Sequence, residues 1–186
     1  MVLAARPAEL HRGERIAAPA RPRPRARRKA LTIEETLALL EEHPRRIEAA
    51  TSGISPARLR SVPVVGTWSA RDVVAHLRSA SDARGDFIPK MLAAKKPTLR
   101  AIDPRALLEQ TGYLQLEFAP SFRAYVRQRA RLVAFLKALP RTSWSRTAIV
   151  TGGGPARERT VLFYAQWLVG HEPAHVRHIE RAFSER

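Results

Sequence analysis

The stretch His171-Glu172-Pro173-Ala174-His175 carries the most suggestive chemistry in the chain. Histidines four positions apart are neighbours on one helix face, so both imidazoles can turn toward one ligand. With a glutamate next to the first, the pattern H-E-x-x-H matches a metalloprotease zinc helix, where the carboxylate acts as general base. Such a helix needs a third protein ligand further along. Only eleven residues follow His175, and the extended form H-E-x-x-H-x-x-G-x-x-H is absent. Pro173 also lies inside the pattern, where it removes a helical hydrogen bond and favours a kink, at about 3 kcal/mol in an ordinary interior. The protease reading fails on this context, but the pairing of two imidazoles survives it.

The chain has no cysteine, so any metal must be held by His, Asp or Glu. Tyr164, Leu168, Ile179 and Ala182 lie close to the face of His171 and His175, which predicts that both rings point inward. His178 falls at an angle between them, as a further ligand or a group supporting one. Glu172 points about a quarter turn away and reads as a supporting or structural residue. Elsewhere, His76 sits between Val73 and Ala80 on the inward edge of a helix, His11 is in a basic segment, and His43 precedes a proline at a polar position. A single inward histidine is more often a satisfied core residue than a ligand. Three neutral imidazoles with open positions for water suit zinc, nickel or another divalent ion.

Four long amphipathic helices must position these groups. The first starts at Thr32, where Thr32 and Glu35 form a capping box, and Ile33, Leu37, Leu40 and Ile47 make its stripe. Pro44 is expected to bend or interrupt it. Residues 51–67 read as loop. Ser69 caps a second helix, with Asp72 favourable in its first turn and an apolar period running to Met91. Residues 95–104 are a linker, and Asp103-Pro104 opens a short helix ending before Pro120. The third long helix spans 121–139 and stops at Pro140. Residues 141–159 read as an irregular polar connection, with the run 151–155 ("TGGGP") as a flexible link lacking phosphate-loop spacing. The last helix runs from about Thr160 to Phe183. No convincing strand pattern appears, so the expected fold is an all-α up-down four-helix bundle.

Two motifs carry a resemblance. Residues 66–82, "GTWSARDVVAHLRSASD", resemble the second-helix signature W-S-x-x-(D/E)-V-(L/V)-x-H-L of the DinB/YfiT-like superfamily, and residues 169–182, "VGHEPAHVRHIERA", resemble its last-helix signature H-(E/D)-x-x-H-x-x-x-I. The segments between them follow in the same order, so the resemblance covers roughly 32–183. It implies a four-helix bundle, often a homodimer, with one divalent metal held by His76, His171 and His175. It also implies activities such as thiol-dependent S-transfer, in which a metal-held low-molecular-weight thiol attacks a small electrophile. Pro173 departs from the helix-friendly residues usual at its place. Arg71, Arg78 and Arg84 are candidates for holding a thiol's carboxylates at the pocket mouth. A metal-dependent hydrolase and a non-catalytic metal- or small-molecule-binding bundle are the competing readings.

The formal net charge is +16, and nine Lys/Arg against two Glu fall in the first thirty residues. Residues 1–30 are Pro/Arg/Ala-rich without sustained periodicity and are expected to be a disordered basic tail, with residues 31–186 as the folded domain. Nucleic-acid binding through this tail is a weaker expectation, because no aromatic residue is interleaved for base stacking. No apolar run reaches the ~20 residues needed to span a bilayer, and no secretory signal is evident, so a cytoplasmic location is expected.

Overall fold

A computed structural model describes residues 30–63 and 67–184, apart from the side chains of residues 104 and 105. The expected tail therefore lies outside the described residues, save for Ala30. The domain Leu31–Arg186 contains α1 (Ile33–Thr51), α2 (Pro56–Arg60), α3 (Ala70–Gly85), α4 (Phe87–Ala93), β1 (Thr98–Arg100), α5 (Pro104–Gln110), α6 (Phe118–Lys137), β2 (Thr147–Thr151), β3 (Arg157–Thr160) and α7 (Val161–Phe183).

The expected four-helix bundle is formed by α1, α3, α6 and α7. Helix α1 packs on α6 and α7, and α3 packs on the same two, so α1 lies diagonally opposite α3 and α6 diagonally opposite α7. Side-chain pairs fix the directions. Leu31, His43 and Arg46 meet Gln166, Glu172 and Glu180 in turn, so α1 and α7 are parallel. Arg78 meets Ser121, and Ser81 meets Arg129, so α3 and α6 are parallel too. Trp68 meets His178, and His76 meets His171, which makes α3 and α7 antiparallel. The bundle thus runs up, down, down, up. The chain returns to its starting end between α3 and α6 through α4, β1 and α5.

Local chemistry explains the helix starts. Thr32 with Glu35 and Ser69 with Asp72 both form complete capping boxes. Pro44 does not interrupt α1, which continues to Thr51 with Pro44 buried. The second helix breaks earlier than expected, at Gly85–Asp86. That break puts Pro89 in the first turn of α4, where a missing N–H has no intrahelical partner to lose. Pro120 sits in the first turn of α6 for the same reason, so that helix starts at Phe118 rather than Ser121.

The connection expected to be irregular is instead part of a small sheet ordered β1-β2-β3. Strand β1 pairs parallel to β2, and β2 pairs antiparallel to β3. Thr147, Ile149, Val150 and Thr151 are β-branched, but only Ala148 is fully buried, so the apolar alternation is too faint to read. The glycine run closes the β2–β3 hairpin. Gly152 has φ +87°, and a Cβ there would meet Arg100 Cγ at 3.0 Å and the Ala101 carbonyl oxygen at 3.3 Å. Only glycine fits both demands.

The core divides into two apolar clusters. One gathers Leu40, Ile88, Met91, Leu136 and Leu168, and the other Ile47, Val73, Leu77, Tyr125, Val176 and Ile179. Among the described residues no helix is long and apolar enough to cross a membrane.

Candidate metal centre

Helix α3 delivers His76, and α7 delivers His171 and His175. One nitrogen from each ring lies within 4.8 Å of the others. His76 Nε2 and His171 Nε2 are 3.1 Å apart, and the ring centroids are separated by 4.8 to 5.0 Å. Two nitrogens sharing a divalent ion at about 2.0–2.1 Å sit roughly 3–3.4 Å apart, so this spacing fits a shared metal. The Nδ1 of His171 is buried with no hydrogen-bond partner among the described residues, which leaves the polar chemistry of that ring directed at the cluster.

The rings have an aromatic frame. Trp167 stacks on His171 at 4.9 Å and 10°, while Trp68 meets His76 edge-on at 4.9 Å and lies parallel to His175 at 6.3 Å. Burial pushes His171 below its ordinary value, and the Arg129 and Arg84 charges add to the effect against the pull of Glu172. Burial, followed by His171 and His178, pushes His175 down to about 4. Both imidazoles are therefore neutral at pH 7, the form that offers a lone pair to a metal.

The two helix α7 histidines are not at the centre of its buried stripe. That stripe runs through Tyr164, Leu168, Glu172, Val176 and Ile179, with His171 and His175 half-buried at its edge. The inward position belongs to Glu172, which is 1% exposed. Its carboxylate accepts from His43 Nδ1 at 2.8 Å, from the Tyr125 hydroxyl at 3.1 Å and from Arg129 Nη2. Arg129 Nη2 also donates to Ser81 Oγ at 3.0 Å. A layer of buried polar groups, drawn from all four long helices, thus separates the two apolar clusters. Burial alone would raise the Glu172 carboxyl, but Arg129, His43 and Tyr125 outweigh it and hold it below the usual value. Burial raises the Tyr125 hydroxyl, and the Glu172 charge raises it further. Glu172 thus ties α7 to α1 and α6 across the core.

His43 corrects the sequence reading. It is 1% exposed, not at a polar position. Its place three residues after Leu40 and four before Ile47 puts it on the apolar stripe of α1, a signal available in the sequence. Arg129 was missed in the same way, four residues after buried Tyr125 and four before Val133. His178 stands apart from the three clustered nitrogens. It donates from Nε2 to the Trp68 carbonyl oxygen at 2.7 Å and so fixes the tryptophan that frames His76.

The clustered histidines open onto a cavity of about 540 Å³, lined also by Trp68, Asp103, Trp167 and Arg181. Of the three arginines expected at its mouth, only Arg84 approaches, with its guanidinium 5.3 Å from the Trp167 ring centroid. Arg71 pairs with Asp72 at 3.4 Å. Arg78 stacks over Tyr113 at 3.8 Å and lines a larger cavity of about 920 Å³ between α3 and α6. That larger cavity contains none of the clustered histidines, and size alone does not mark a reactive site.

A family model described as the DinB superfamily matches residues 39–179. No curated protein matches the chain significantly. Among solved structures, the chain is similar to YfiT from Bacillus subtilis, described as "a probable metal-dependent hydrolase with an unusual four-helix bundle topology". The TM-score is 0.66 at 20% identity, over 86% of this chain and 93% of that one. At that identity the likeness establishes the shared fold.

Proposed function

The chain belongs to the DinB superfamily, and on that premise we propose that it is a metal-dependent enzyme whose divalent ion, zinc or nickel, is held by His76, His171 and His175. The observation that carries the proposal is the convergence of three imidazole nitrogens from two helices to within 4.8 Å, beside an open cavity. A divalent ion held by three neutral imidazoles keeps open positions and supplies Lewis acidity, making a thiol or water bound there more acidic.

Within this reading the enzyme is a thiol-dependent S-transferase acting on a small electrophile. With no cysteine in the chain, the attacking sulfur in this reading arrives with a low-molecular-weight thiol. The residues of the chain bind and orient. Trp68 and Trp167 pack against the imidazole rings and orient them, His178 fixes Trp68, and Glu172 anchors the segment between the two α7 ligands to α1 and α6. A cavity of about 540 Å³ suits a small ligand. Metal-dependent hydrolysis is the second reading, favoured by the description of YfiT. Homodimer formation is part of the same proposal, and light scattering across a concentration series tests it.

Metal analysis of the purified protein against His175→Ala is the decisive experiment. About one divalent ion per chain is expected in the wild type after reconstitution, and strongly weakened binding in the variant. Absence of metal in both overturns the proposal. With metal present, consumption of an electrophile only when a thiol is added supports transfer, and turnover of an ester without thiol supports hydrolysis.

A further inference from the structure

A third cavity, of about 310 Å³, adjoins the histidine pocket and shares Trp167 with it. Its polar walls are dominated by Arg84, Arg157 and Arg159, and among the described residues no Asp or Glu lines it. The arrangement follows from local structure. In β3, side chains alternate, so Arg157 and Arg159 face one side while Glu158 faces the other, where it pairs with Lys96 at 2.9 Å. Arg84 comes from the last turn of α3.

Two of the three cations, Arg84 and Arg159, have aromatic backing, and among the described residues none of the three has an anionic partner. Arg159 stacks over Phe163 with its guanidinium 4.4 Å from the ring centroid, and Arg84 stacks over Trp167 at 5.3 Å. Among the described residues, no ion pair involves Arg84, Arg157 or Arg159. Burial pushes the Tyr164 hydroxyl up, and both Arg84 and Arg159 pull against that shift, so their charges converge on one spot. Like charges gathered on a partly buried surface repel, and an oxyanion relieves that repulsion while accepting forked guanidinium hydrogen bonds.

Helix α7 links this cavity to the histidines. Phe163, Trp167, His171 and His175 follow at intervals of four, a continuous stripe along one side of the helix. Arg159 covers the first, Arg84 the second, and the third and fourth are clustered histidines. At 1.5 Å rise per residue, the arginine-covered rings lie about 6–12 Å along the axis from His171.

Building on the metal-site reading, we infer that Arg84, Arg157 and Arg159 form an oxyanion subsite of the same active site, selecting a small substrate or thiol whose phosphate or carboxylate lies roughly 6–12 Å from its reacting atom. Arg84 is the hinge of this arrangement. It touches the ring that stacks on His171 and also faces the two strand arginines, so an anion held there lies at the edge of the histidine pocket.

The test uses the full chain at low salt, with inorganic phosphate and succinate as probes in calorimetric titrations. Wild type is compared with Arg84→Gln, Arg157→Gln and Arg159→Gln, and with Arg127→Gln on α6 as a control outside the cavity. Loss of one charge-assisted donor pair is expected to weaken anion binding about 10-fold in each cavity variant, and the control to stay within about 2-fold of wild type. Tighter phosphate than succinate assigns a phosphate-bearing ligand, the reverse a carboxylate-bearing one, and either supports the subsite. Failure of the wild type to bind either probe overturns the inference, as does equal affinity in wild type and all three cavity variants. Cobalt titration of the same samples keeps the two readings separate. Unchanged metal affinity in Arg84→Gln is expected, whereas a wild type that binds anions but no metal refutes the metal site and leaves the anion site standing.

Discussion

Glu172→Ala is the substitution that tests the structural logic most directly. In the native bundle the carboxylate accepts from His43, Tyr125 and Arg129, and all four side chains are sealed in the core. Truncation leaves the Arg129 guanidinium, 3% exposed, without its counter-charge and deprives two further donors of an acceptor. Breaking a buried pair from one side costs about 3–5 kcal/mol, because the remaining charge stays desolvated. A domain of this size loses roughly 2–4 °C in Tm per kcal/mol, so a fall of about 6–20 °C is expected. The assay is thermal and urea unfolding followed by circular dichroism, with EDTA present so that metal binding does not contribute. The double variant Glu172→Ala/Arg129→Met removes both charges and is expected to be more stable than Glu172→Ala alone. A single variant within about 1 kcal/mol of wild type would refute the buried-layer argument, since ordinary surface substitutions fall within about 0.5 kcal/mol. A double variant showing simple additive loss would refute the coupling.

Two glycines make opposite predictions. Gly152→Ala forces an L side chain to φ +87° against Arg100 and Ala101, and is expected to destabilise by about 1–3 kcal/mol. Gly170→Ala lies inside α7 with nothing within 4 Å of the added methyl, and is expected to stabilise by about 0.5–1 kcal/mol. Urea midpoints check both, and the same sign for the two would contradict the geometry. Asp82 has a raised pKa, mainly from burial, despite bonds from Tyr113 and Gln128. The folded state therefore binds this proton more tightly than the unfolded state, and stability falls as pH rises from the unfolded toward the raised folded value. Asp82→Asn is expected to flatten that part of the stability–pH curve, measured by urea unfolding, and an unchanged slope would count against the burial argument.

What was legible in the sequence is what depends on near neighbours. Thr32 with Glu35 and Ser69 with Asp72 are capping boxes closed within three residues, so two helix starts could be read directly. The spacing of His171 and His175 is equally local, and His76 follows from its place on the edge of an apolar stripe. The sheet was not legible, because Thr98 to Arg100 find partners about fifty positions away, at Ile149 to Thr151. The order up, down, down, up was not legible either. It depends on how far the chain travels between α3 and α6, which no helical period records.

The histidine, arginine and glutamate at the level of the buried layer carry the more general lesson. His43, Arg129 and Glu172 each occupy an apolar-stripe position of a different helix, and each alone looks like an error in the pattern. The three are explained only together, because Glu172 pairs with both His43 and Arg129 once the helices pack. Both His43 and Glu172 precede a proline inside a helix, so α1 and α7 each lack a backbone donor just where this bond joins them. The kink expected at Pro173 does not break α7, which runs unbroken from Val161 to Phe183. The physical reason lies in the layer itself. Where proline removes a hydrogen bond along the helix, Glu172 supplies three across the bundle. Those bonds hold the turn that carries both α7 histidines, so the residue that seemed least suited to a metal-binding helix sits beside the one that fixes it.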